Sequence, residues 1–138
     1  MNIDPLEAVI KWLENSLTSV AGRVAGKHRY GAGWSESQTG VSVHLDGGVP
    51  DLYATVATPR LEIRIYSGNQ ETVVEVWRAL VGLSRSNERF SVSTSKGNAL
   101  IHTFLPETNL SLIYDEVLKM EMGIIFFNAI VAEEPVLS

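Results

Sequence analysis

Residues 59–83 read PRLEIRIYSGNQETVVEVWRALVGL, and this stretch decides the fold. In its first half, Leu61, Ile63 and Ile65 alternate with charged or aromatic residues, which is the pattern of a strand with one buried face. Ser67 and Asn69 are both suited to cap a helix. The apolar residues that follow keep helical spacing: Val73, Val76, Trp77, Leu80 and Val81. The stretch predicts a strand that leads directly into an amphipathic helix.

A second helix is predicted at the start of the chain. Asp4 is placed to cap it, Pro5 suits the first helical position, and Glu7 follows three residues after the cap. We expect this helix to fade near Val20 and to end at Gly22. Trp12 is expected to flank an apolar stripe made of Leu6, Val9, Ile10, Leu13 and Leu17.

Strand patterns occupy most of the remaining chain. Residues 41–45 alternate between apolar and polar side chains, and Gly47 and Gly48 are expected to end that run. Further strands are predicted at 53–58, 90–94 and 99–105, the last two separated by a turn at Lys96-Gly97-Asn98. Residues 110–114 are apolar, but the pattern leaves their type open.

The last element is predicted as a strand from about Val117 to Ala132. Met120, Met122, Ile124 and Phe126 form one apolar face, whereas the other face carries Lys119 and Glu121 first and turns apolar beyond Gly123, with Ile125 and Phe127. This predicts a strand that changes from half-buried to buried on both sides, with a possible bulge at Gly123.

The order of elements predicts the α+β class, with a mainly antiparallel sheet and two helices packed on one face. Residues 1–138 are interpreted as a single domain. Residues 26–40 are rich in Gly and Ser and are predicted to form a mobile loop. Residues 133–138 are predicted to be a frayed tail.

Composition excludes several classes of function. The chain has no cysteine, so it has neither disulfides nor thiolate metal ligands. Its net charge of −5 and its scattered Lys and Arg residues argue against tight binding of nucleic acid. No apolar run approaches the ~20 residues that a membrane span needs. Asp4 and Glu7 stand where a secretion signal would carry basic residues, so secretion is not expected.

No catalytic motif is recognisable. His28, His44 and His102 are dispersed and lack ligand spacing, and Gly31 and Gly33 have no strand-to-helix context for a phosphate site. We therefore expect no catalytic residue, no metal and no cofactor. A catalytic site dispersed over several strands is the open enzymatic alternative.

The chain resembles the tail-terminator and tail-completion proteins of long-tailed bacteriophages, which join tail to head. The resemblance lies in the order of elements and covers most of the chain. It comprises the opening helix with residues 22–24, the strand 59–66 with its helix 71–83, the segment 112–116, and the closing strand through 124–130.

The resemblance implies a non-enzymatic virion protein of the tail or neck, assembled in the host cytoplasm. It also implies a homo-oligomeric ring, expected to be a hexamer, that binds the tail-tube protein on one side and the head connector on the other. DNA would pass through the channel without specific binding. An adjacent head-completion protein and a non-viral cytosolic protein-binding module stay open as alternatives.

Seven residues are predicted as candidates for the protein interface. Two are the loop aromatics Tyr30 and Trp34. The others lie on the sheet: Arg60, Glu62, Arg64, Ile125 and Phe127. Charge reversal at Arg64 is expected to impair assembly while the monomer stays folded.

Overall fold

The computed structural model describes residues 3–17, 23–25, 39–49, 56–85, 89–117 and 119–134. Helix α1 spans Pro5–Ser16 and α2 spans Gln70–Ser84. The strands are β1 (Val24–Ala25), β2 (Gly40–Val49), β3 (Val56–Ser67), β4 (Phe90–Thr94), β5 (Gly97–Pro106), β6 (Ser111–Asp115) and β7 (Met120–Glu133).

The strands form one seven-stranded sheet in the order β1-β2-β3-β7-β5-β4, with β6 also pairing with β7. Every pair is antiparallel except β1 with β2. Side chains from both helices join one face of the sheet in a single hydrophobic core. The predicted α+β class, with a mainly antiparallel sheet and two helices on one face, is confirmed.

Helix α1 begins where the sequence predicts, because the Asp4 carboxylate accepts a hydrogen bond from the Leu6 amide at 2.9 Å. It ends at Ser16, earlier than expected, with Leu17 as its C-cap. Trp12 is a core residue, not a flanking one, and meets Phe104 edge-to-face with ring centroids 5.0 Å apart.

Helix α2 is capped by Asn69, whose side-chain oxygen accepts a hydrogen bond from the Glu71 amide at 2.8 Å. Its buried residues are Val73, Val76 and Leu80. The cap and the buried stripe both agree with the sequence prediction. The helix continues past Gly82 to Ser84.

Two predicted breaks in the sheet are absent. Strand β2 continues through its glycines, because a β-bulge between Leu45 and Gly48 absorbs them and Gly47 adopts a φ of 95°. Strand β3 is continuous from Val56, and Pro59 lies within it opposite Gly48. The predicted hairpin strand 53–58 and the strand after it are therefore one element where the structure describes them.

Strand β7 is the centre of the sheet. One of its edges pairs with β3, and the other pairs first with β6 and then with β5. Its register with β3 and with β6 runs without a shift through Gly123, so no β-bulge lies there. A Cβ at Gly123 would lie 2.7 Å from Leu110 Cδ1 and 2.8 Å from Val73 Cγ1. Glycine is needed here because α2 and the segment before β6 approach the strand closely.

The C-terminal boundary also differs from the prediction. Glu133 belongs to β7, and the Glu134 amide donates to the Asn98 carbonyl at 2.9 Å. Pairing with β5 therefore holds the first two residues of the predicted tail, and residues 135–138 lie outside the described residues.

Candidate functional site

The face of the sheet opposite the helices carries the predicted polar candidates, and we call it the outer face. The Arg60 guanidinium forms ion pairs with Asp46 of β2 and with Glu107, the latter at 2.7 Å between Nε and Oε2. It also lies 4.2 Å from the centroid of the Phe126 ring. Hydrogen bonding to Glu107 raises the pKa of Arg60, so the group stays charged. Arg60 thus ties three strands together.

Glu62 and Arg64 are also engaged within the chain. Arg64 Nε donates to Glu62 Oε1 at 2.8 Å, and both side chains are mostly buried. Reversing the charge of Arg64 would set two carboxylates against each other. We therefore expect the change to destabilise the outer face as well, and the prediction that the monomer stays folded remains to be measured.

Ile125 and Phe127 are core residues. Both are fully buried beneath the helices, and Phe127 stacks on Phe104 with centroids 4.2 Å apart. Neither side chain is available to a neighbouring copy, so their assignment to an interface is corrected. The side chains of β7 that point the other way include Met122, Ile124, Phe126 and Asn128. Tyr30 and Trp34, with loop residues 26–38, lie outside the described residues.

The strongest candidate surface is one that the sequence left unassigned. Strand β4 pairs with β5 only as far as Ile101, and among the described residues β6 pairs with β7 alone. Among the described residues, 102–106 and 111–115 therefore have no strand partner on one side, and we call them the open edge. Its exposed large apolar side chains are Leu105, Leu112, Ile113 and Tyr114.

Several apolar side chains of this surface are exposed among the described residues. Val117, directly after β6, is 91% exposed, and Ile113 and Tyr114 are 45% and 53% exposed. Unpaired strand edges with apolar side chains are sites where another chain adds to the sheet. The only signal in the sequence was the apolar run in residues 110–114 between two breaks, which does not reveal a free edge.

A groove of about 610 Å³ lies at the β5 end of the open edge. It is lined by Val56, Ser84, Arg89, His102, Thr103, Phe104, Leu105 and Ile130. Its described lining residues include Arg89 and His102, and none of those described is a carboxylate. The groove therefore suits an apolar group with a negative charge beside it.

The histidine and acidic side chains of the described part of the chain do not gather into one group. Within it, no three His, Asp or Glu side chains converge as metal ligands. His44 lies on β2 and His102 on β5, with β3 and β7 between their strands, and His28 lies outside the described residues. Among the described helices, neither has the length and apolar character to cross a membrane.

The chain matches no protein-family model, and no curated protein is significantly similar to it.

Proposed function

We propose that the chain is a structural virion protein that caps the end of a long-tailed phage tail tube as a ring and joins the tube to the head. The observation that carries this proposal is the open edge, with its apolar side chains held outward on a rigid sheet. Such an edge favours association, so a protein that presents one is suited to assembly.

The proposal takes the particular assembly from the resemblance in element order to tail-terminator proteins. A closed ring needs two different surfaces on each copy, one for each neighbour. The open edge supplies one candidate. The ring, expected to be a hexamer, would contact the tail-tube protein and the head connector on its two sides.

Charge supports the proposed passage of DNA without specific binding. The net charge of −5 makes a strongly basic channel improbable on composition alone, and an acidic lumen would let DNA slide without adhering. A ring whose inner surface proved basic would contradict this part of the proposal.

Co-assembly with a tail tube tests the proposal. The chain is co-expressed with the tail-tube protein encoded in the same gene cluster, and the tubes are examined by electron microscopy. We expect tubes that carry a ring at one end and contain the chain. Bare tubes, with the chain recovered only in the free fraction, would contradict it.

The same preparation separates the alternatives. If the chain binds the head connector and not the tube, it is an adjacent head-completion protein. If it binds neither, and no portal, tail-tube or tape-measure gene lies beside its own, the reading as a non-viral protein-binding module gains support.

A further inference from the structure

The two parts of the open edge lie in line. Strands β5 and β6 both pair with the same edge of β7, and both run antiparallel to it. They therefore run in the same direction, one after the other, with residues 107–110 between them. The Glu107 amide donates to the Phe126 carbonyl at 2.8 Å, so this connection is also held to β7.

An edge of this kind is complementary to itself. A two-fold rotation about an axis perpendicular to the sheet reverses the direction of the edge, so β5 of one copy faces β6 of a second copy in antiparallel orientation. The same pairing occurs twice, because a two-fold contact uses the same surface on both copies.

One alignment of the two open edges also brings apolar side chains of the two copies opposite each other. If Leu105 lies opposite Ile113 of a second copy, then Phe104 lies opposite Tyr114 and Pro106 opposite Leu112. Leu105 and Ile113 both lie on the outer face, since they pair with Asn128 and Met122 of β7. Directly opposed side chains in an antiparallel pair share a face, so these two exposed apolar side chains would cover each other.

Charges agree with the same arrangement. In this register Glu116, which follows β6, comes to the His102 end of the groove, where Arg89 directly precedes the Phe90–Ile101 pair of β4 and β5. Arg89 is the charged residue among the described lining of the groove, and the end of β6 brings an exposed carboxylate. Opposite charges therefore meet at both ends of the contact.

We infer that, away from the tube, two copies of this chain associate through the open edge as a two-fold dimer that seats the end of β6 in the groove of the partner copy. This goes beyond the proposed ring and does not rest on it. A dimer of this kind covers the same edge that a ring could use, so ring formation would have to replace it.

Measurement of mass tests the dimer. Sedimentation equilibrium of the full chain over micromolar to millimolar concentrations is expected to give about 30 kDa, twice the 15.1 kDa of one chain. Leu105→Lys and Ile113→Lys each place a charge on the edge, and we expect each to raise the dimer dissociation constant by about tenfold or more. Leu45→Lys, at an exposed apolar residue of β2 away from this edge, is the matched control and should leave the dimer intact.

A charge exchange tests the register. Arg89→Glu and Glu116→Arg are each expected to weaken the dimer, and the double variant is expected to restore it. In the unaltered chain, amide hydrogen exchange of peptides covering 103–106 and 111–115 should slow as the protein concentration rises. This measurement does not depend on whether any variant folds.

Several results would overturn the inference. They are a monomer at every concentration, an assembly of any number other than two, a dimer that persists in Ile113→Lys, or a dimer lost equally in Leu45→Lys. Dimerisation without capping of tubes would contradict only the proposed function. Capping by a chain that is monomeric in solution would contradict only the dimer.

Discussion

The two faces of β7 are covered in different ways. Ile125 and Phe127 lie under the helices and are fully buried. Phe126, between them in sequence, lies on the outer face, where the guanidinium of Arg60 covers its ring. Both faces are apolar in sequence, so hydrophobicity alone does not tell which one carries the helices. On the helix-covered face, Gly123 lets Val73 of α2 approach the strand closely.

Truncating one phenyl ring on each face gives the largest expected effect. Phe127→Ala removes the ring stacked on Phe104 and should destabilise the fold by about 3–5 kcal/mol. Phe126→Ala, the matched change one residue away, should cost only about 1–2 kcal/mol because its ring is partly exposed. Urea unfolding measures both. Equal losses would mean that the two faces are equally well packed.

Filling the close approach at Gly123 comes next. Gly123→Ala places a methyl group within 2.8 Å of Val73 Cγ1 and should destabilise by about 1–3 kcal/mol. The loss should be smaller when Val73 is already Ala, since the shorter side chain leaves room. Denaturation of the four proteins in this double-mutant cycle gives the coupling. If the free-energy changes of the two single variants simply add in the double variant, α2 does not press on β7 at this point.

A smaller effect is expected for the polar cover of the outer face. Arg60→Met keeps the apolar stem but leaves Asp46 and Glu107 without their shared cation. At low salt, we expect the variant to have a lower urea midpoint than the unaltered chain. At about 1 M salt, the difference between the two midpoints should be smaller because exposed charges are screened. Arg78→Met, at an exposed arginine of α2, serves as the control and should show neither change. If the variant loses the same stability at both salt concentrations, the effect comes from packing and not from charge.

The smallest effect concerns a carboxylate at the rim of the helix-covered side. Glu7 accepts hydrogen bonds from the Ser95 amide at 2.7 Å and from the Ser95 hydroxyl at 2.9 Å. The amide bond, followed by the hydroxyl bond, lowers the pKa of Glu7 below its ordinary 4.5. A lowered pKa stabilises the fold above pH 4.5, and this contribution is lost as the pH falls through the folded-state pKa.

Glu7→Gln should therefore lose stability less steeply than the unaltered chain as the pH falls below 4.5. Glu75→Gln, at an exposed position of α2, is the control and should keep the original pH dependence. Unfolding midpoints measured at several pH values provide the comparison. Parallel curves for the Glu7→Gln variant and the unaltered chain would contradict the role of Ser95.

Local chemistry made part of this fold predictable. The caps Asp4 and Asn69 were identifiable because short polar side chains bond the free amides at a helix start. The alternation of Leu61, Ile63 and Ile65 indicated a buried face because successive strand residues point to opposite sides. The candidate surface was harder to find: the open edge exists only because β4 stops pairing at Ile101 and β6 has β7 as its one described partner.

By itself, the sequence determined the α+β class, the starts of both helices, and the absence of a recognisable catalytic motif, because these depend on neighbours along the chain. Only the tertiary structure decided which face of β7 became the core, where Arg60 found its partners, and which strand edge stayed open. Those features depend on residues far apart in sequence, and side-chain periodicity carries no information about which distant strand will lie alongside.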